Sequence, residues 1–117
     1  MNFSKVEKDL ISEIKLQPID ARTFLLVTTE RKMSIKKIAN KLDVSIEDAT
    51  SAIKRLIELG AFIDFSENEY EAMHPRFTVV NMYRKMCEKN KIQFKRNKIL
   101  DNIGSVLEKY YDDARTK

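Results

Sequence analysis

Two short apolar helical repeats, joined by a connection of only a few residues, constrain this chain more than any other feature. Ile35, Ile38, Ala39 and Leu42 recur at three- and four-residue steps, and Ala49, Ile53, Leu56 and Ile57 do so again after Asp43-Val44. Ser34 and Ser45 stand where each helix needs a side-chain oxygen to accept its first free N–H groups, and Asp48 follows Ser45 in a near capping-box pattern. Small Ala39 allows the two helices a close approach, Val44 plugs the turn and Leu56 anchors the second helix. Gly60 then ends it where a left-handed residue is required. So tight a connection fixes the angle between the helices as well as their existence.

The flanks complete the expected architecture. Phe3, Val6, Leu10, Ile11 and Ile14 form one stripe of a first helix that ends at Gln17-Pro18, since proline cannot continue the hydrogen-bond ladder. Asp20 is expected to cap a second helix, which buries Phe24, Leu25 and Val27 and stops near Arg31-Lys32. After Gly60 the period shortens. Ala61–Phe65 and Tyr70–Met73 are β-like runs around the turn residues Ser66-Glu67-Asn68-Glu69, which predicts a hairpin. His74-Pro75 opens another helix, to about Lys89, whose apolar residues cover much of its circumference and call for cover on two sides. A last helix is expected from about Arg96 to Asp113. Three helices with tight turns followed by a hairpin describe a winged helix-turn-helix. The expected fold is therefore mostly α with a small β hairpin: a winged helix-turn-helix domain over residues 1–74, and C-terminal helices over 75–117 forming a dimerisation element.

Composition narrows the function. Two glycines and two prolines in 117 residues suit a helical protein. The single Cys87 excludes an internal disulfide and a multi-cysteine metal site, and on an apolar helix face it reads as a buried, inert thiol. His74 is the only histidine, and its place between hairpin and helix suggests capping or packing. No nucleophile–base pair or glycine-rich phosphate loop is present, so no enzyme and no cofactor are expected. Without a signal peptide or a long apolar run, a cytoplasmic location away from membranes is expected.

The helix pair Ile38-Ala39 to Leu56–Gly60, together with Tyr70-Glu71-Ala72-Met73-His74-Pro75 leaving the hairpin, resembles the TrmB-like branch of archaeal winged-helix regulators. The resemblance runs from about Ile19 to Tyr83. Asp101-Asn102-Ile103-Gly104 and Tyr111–Lys117 also look like short members of that group. It implies a transcriptional regulator that binds double-stranded DNA. Larger relatives carry a sugar-binding domain, for which 117 residues leave no room, so no small-molecule ligand is expected.

In a helix-turn-helix the second helix enters the major groove. Its candidate contacts are Ser45, Thr50, Ser51, Lys54 and Arg55, with Ser34, Lys36 and Lys37 on nearby phosphates. Lys54 and Arg55 suit phosphates, and an arginine also suits a guanine edge. Glu47 and Asp48 bring the opposite sign to the same helix, and Asp64, Glu67, Glu69 and Glu71 make the wing acidic. The compensating charge lies in residues 74–98, where eight cations face Glu88 alone. A homodimer is expected to close through Ile99, Ile103, Val106, Leu107 and Tyr110, with packing on the first helix of the same chain as the competing use of that seam. The alternative function is a protein-interaction module that presents its acidic wing to a basic partner.

Overall fold

The computed structural model describes residues 3–115, apart from the side chain of Phe65, so Thr116 and Lys117 of the C-terminal resemblance lie outside the described residues. It is mostly helical with a small antiparallel sheet. Helices α1 (Ser4–Ile14) and α2 (Pro18–Glu30) precede strand β1 (Lys32–Ser34) and the short pair α3 (Ile35–Leu42) and α4 (Ile46–Glu58). Strands β2 (Phe62–Ser66) and β3 (Glu69–Ala72) lead to α5 (Pro75–Asn90) and α6 (Lys98–Arg115).

Helix α2 is the hub. Ala21, Phe24, Leu25, Val27 and Thr28 are buried around most of its circumference, which packs against α1, α3, α4, α6 and the sheet. Phe24 stacks on Phe62 of β2 with ring centroids 6.1 Å apart and ties the hub to the hairpin. The expected cap of this helix was misplaced. Extended Gln17 occupies the capping position with no side-chain hydrogen bond, and Pro18 starts the helix because the N–H it lacks is unneeded there. Asp20 therefore lies inside the first turn, 3% exposed, where its carboxylate is available to another partner.

The hairpin has a third strand. β1 pairs antiparallel with β3, placing Lys32 opposite Glu71, and the strand order is β1-β3-β2. A three-residue strand that ends on the capping serine itself carries no alternation to detect, so the sequence ends α2 at Arg31-Lys32 without showing it. Met33 points into the core, while Arg31 takes φ 80° to make the corner. Asn68, at φ 69°, supplies the left-handed residue of the β2–β3 turn.

Helices α5 and α6 share one apolar cluster with α1 and α2. Here the dimer expectation is corrected in part. Ile103 and Leu107, assigned to a seam between two chains, are 1% and 0% exposed inside one chain, beside Leu100 and Tyr111. A four-three-four stripe shows that a helix must be covered but not by which chain. The other three residues stay at the surface to different degrees: Ile99 is 43% exposed, Val106 is half-buried, and Tyr110 packs edge-on against Phe3 at 5.3 Å. On α5 the apolar circumference is not fully covered either, because Phe77 is 62% exposed.

Asn97 begins α6 two residues later than expected. Its Oδ1 accepts from the N–H groups of Ile99 and Leu100 at 3.0 and 3.3 Å, while its Nδ2 donates to Glu13 at 2.8 Å. One side chain thus caps α6 and fastens it to the end of α1. Gly104 explains how α6 lies so close to α5. A Cβ there would sit 2.9 Å from the Cα of Arg76, nearer than side chains approach a backbone. The helix-propensity cost of this glycine is offset by the close crossing it permits.

His74 closes the sheet onto this helix pair. Its Nδ1 accepts from the Arg76 N–H at 3.2 Å at the start of α5, leaving Nε2 to face Glu108 of α6 at 3.2 Å. The ring also meets Tyr111 edge-on, with centroids 5.2 Å apart.

Candidate nucleic-acid interface

The α3–α4 unit is rigid for reasons that can be traced bond by bond. Ser34, delivered by β1, accepts from the Lys37 N–H at 3.2 Å, and Ser45 accepts from the Asp48 N–H at 3.0 Å. Between them Asp43 adopts φ 55°, and the Val44 N–H bonds the carbonyl of Ala39 at 3.0 Å. Such a left-handed C-terminal turn satisfies carbonyls that the helix end leaves over. Ile38, Ala39, Ala49, Ile53 and Leu56 are buried against the hub, so the opposite side of α4 faces solvent.

That side presents Ile46, Glu47, Ser51, Lys54 and Glu58 as exposed residues, with Thr50 half-buried among them. The Thr50 hydroxyl donates to the Ile46 carbonyl at 2.7 Å, so its proton is committed within the helix. Lys36 and Lys37 are exposed on the first turn of α3. Lys41, on the same helix, reaches Glu30 at 3.4 Å. Of the sequence-derived candidates, the structure therefore brings Ser51 and Lys54 onto one open face, with Lys36 and Lys37 on the neighbouring helix. Ser34 and Ser45 act as caps.

Arg55 has a different setting. Its Nε and Nη2 donate to the two carboxylate oxygens of Asp20, both at 2.8 Å. The arginine side chain is 37% exposed and the aspartate 4%. The Asp20 hydrogen bond is the main reason the Arg55 pKa rises above its ordinary value; desolvation opposes it, and Asp48 adds a smaller attraction. Two parallel charge-assisted bonds with matched planar geometry form a directional clamp between α2 and α4. Sequence reading could not pair them, because 35 residues separate the partners and Asp20 already had a plausible local role as a cap. Arg55 positions the presented helix from behind its solvent face.

The clamp lies in the wall of an open cleft of about 650 Å³ between the α1–α2 connection and the ends of α4 and α5. Lys15, Lys85 and Lys89 line it together with Glu58 and Glu88, so its walls carry both signs.

The basic stretch after the hairpin is partly neutralised. Arg76 bonds Glu108 at 2.8 Å, Arg96 bonds Asp101 at 3.1 Å, and Lys85 donates to the Glu58 carbonyl at 3.2 Å. Arg84 lies 5.1 Å from the centre of the Phe94 ring. Lys89, Lys91, Lys95 and Lys98 are exposed. On the hairpin, Asp64 and Glu67 are exposed, Glu69 accepts from the Ser66 hydroxyl at 2.8 Å, and Glu71 is half-buried in register with Lys32.

Among the described residues no group of three or more His, Cys, Asp or Glu side chains is placed to hold a metal ion, and no helix is long and apolar enough to cross a membrane. Cys87 is buried. Comparison of the chain with protein-family models, with curated proteins and with solved structures finds no match in any of the three.

Proposed function

We propose that this chain is a winged helix-turn-helix regulator of the TrmB-like kind that binds duplex DNA as a homodimer. The observation that carries this reading is the doubly capped α3–α4 pair. It is clamped to α2 through Arg55–Asp20 and turns a solvent face containing Ser51 and Lys54 outward. A rigid helix with its base-reading side free of packing is what insertion into a major groove requires. Lys36 and Lys37 lie at the start of the preceding helix, where phosphates of the groove edge would pass. The exposed lysines of α5 and the segment after it supply further cations for flanking phosphates. Pairing of two chains doubles these contacts, with exposed Ile99 as the residue of the α6 seam most open to a second copy.

The test is fluorescence anisotropy with a fragmented genomic duplex pool across a salt series, with mass measured by light scattering in parallel. The expected result is binding that weakens steeply with salt, and a slope reduced by about 1 for each phosphate contact removed, as in Lys54→Ala. Absence of duplex binding in dilute buffer would refute the reading.

The exposed carboxylates Asp64 and Glu67, with Glu47 and Asp48 on α4, favour a second reading: a winged helix that docks on a basic protein partner. Capture of such a partner that is lost in Asp64→Asn/Glu67→Gln, together with no duplex affinity, would establish it in place of the first.

A further inference from the structure

Ile46 is anomalous. It is the first residue of α4, directly after the capping Ser45, and it is 51% exposed on a helix whose other aliphatic residues face inward or are half-buried. Helix formation does not call for an apolar side chain there. The capping bond uses the Ser45 hydroxyl and the Asp48 N–H, and the Ile46 carbonyl serves Thr50, so capping needs nothing from the Ile46 side chain. A β-branched residue is also a poorer helix former than the polar residues that could occupy an exposed first turn. Its neighbour Glu47 is exposed beside it.

We infer that Ile46 and Glu47 form a base-reading pair, with Ile46 packing on the 5-methyl group of a thymine and Glu47 accepting from the amino group of an adjacent cytosine. This rests on the duplex-DNA reading above. Three physical facts converge on it. The early residues of an inserted helix meet base edges, and these two occupy its first turn. In the major groove the thymine methyl is the apolar feature that an aliphatic side chain can cover. Glu47 suits the positive end of its own helix, and where that end meets a duplex its carboxylate is repelled by phosphates but can accept from cytosine N4 in the groove. The pair also gives Glu47 a use on a helix that approaches phosphates. Its lysine contacts phosphate, while the acidic first turn carries sequence information.

The experiment needs no variant to be decisive. Sites are selected from a random duplex pool with the wild-type protein, and each thymine of the selected site is then replaced by uracil, which keeps base pairing but lacks the methyl. One such replacement is expected to weaken binding by about fourfold per half-site, the loss of one buried methyl group. Ile46→Ala should bind the thymine and uracil forms equally. Glu47→Gln should relax the preference at the neighbouring base pair. Selected sites whose affinity is unchanged by uracil at every position overturn the inference while leaving duplex binding intact. Failure to select any site overturns both, so the two failures are distinguishable. Half-exposed Ile46 contributes little to the core, and the melting temperature of Ile46→Ala should match wild type.

Discussion

Replacing Arg55 separates a structural clamp from a DNA contact on the same helix. In Arg55→Ala the Asp20 carboxylate, 4% exposed in the intact pair, loses both 2.8 Å donors. Breaking a fully buried pair costs about 3–5 kcal/mol, because one charge is left without compensation. The arginine is more than a third exposed, so water reaches the site and the cost falls toward surface-pair values. A loss of about 2 kcal/mol is therefore expected, equivalent to a fall in melting temperature of roughly 6–12 °C for a chain of this size. Asp20→Ala should cost less, since it leaves an arginine that can turn to solvent. The double variant should be no worse than Arg55→Ala alone, giving a coupling energy of about 1–2 kcal/mol in a double-mutant cycle read by urea denaturation. Additive losses would refute the clamp. The same experiment separates stability from recognition. Below its melting transition Arg55→Ala should keep the wild-type salt slope for duplex binding, whereas a phosphate contact would lower that slope by about 1. A lowered slope with unchanged stability would put Arg55 in the groove after all.

Gly104→Ala should destabilise the chain by about 1–3 kcal/mol although alanine is the better helix former, because the added methyl meets the Arg76 backbone and α5 must shift; calorimetry reads the sign directly. Leu107→Ala should cost about 3 kcal/mol, and the loss should not depend on protein concentration if this residue belongs to the core of one chain. Lys54→Ala should leave the melting temperature within about 1 °C of wild type, as expected for an exposed residue, while flattening the salt dependence of duplex binding. Ser45→Ala should lose about 1 kcal/mol through its capping bond to Asp48, and Ser45→Asp should recover most of it.

What the residues determined alone was local. The stripes of α1, α3 and α4, the caps at Ser34 and Ser45, proline at the start of α5 and the β2–β3 turn all follow from backbone geometry within a few residues. Such signals survive in sequence because the physical cause and the residue lie side by side. Tertiary structure decided whatever needed a distant partner. It gave Asp20 to Arg55 instead of to a helix cap, placed Lys32 in a third strand opposite Glu71, and enclosed Ile103 and Leu107 within their own chain. A carboxylate has the same chemistry as a cap or as half of an ion pair, and an apolar stripe is equally satisfied by any apolar neighbour. The choice between those outcomes depends on which surfaces the fold brings within reach, and that is set by how the helices pack together.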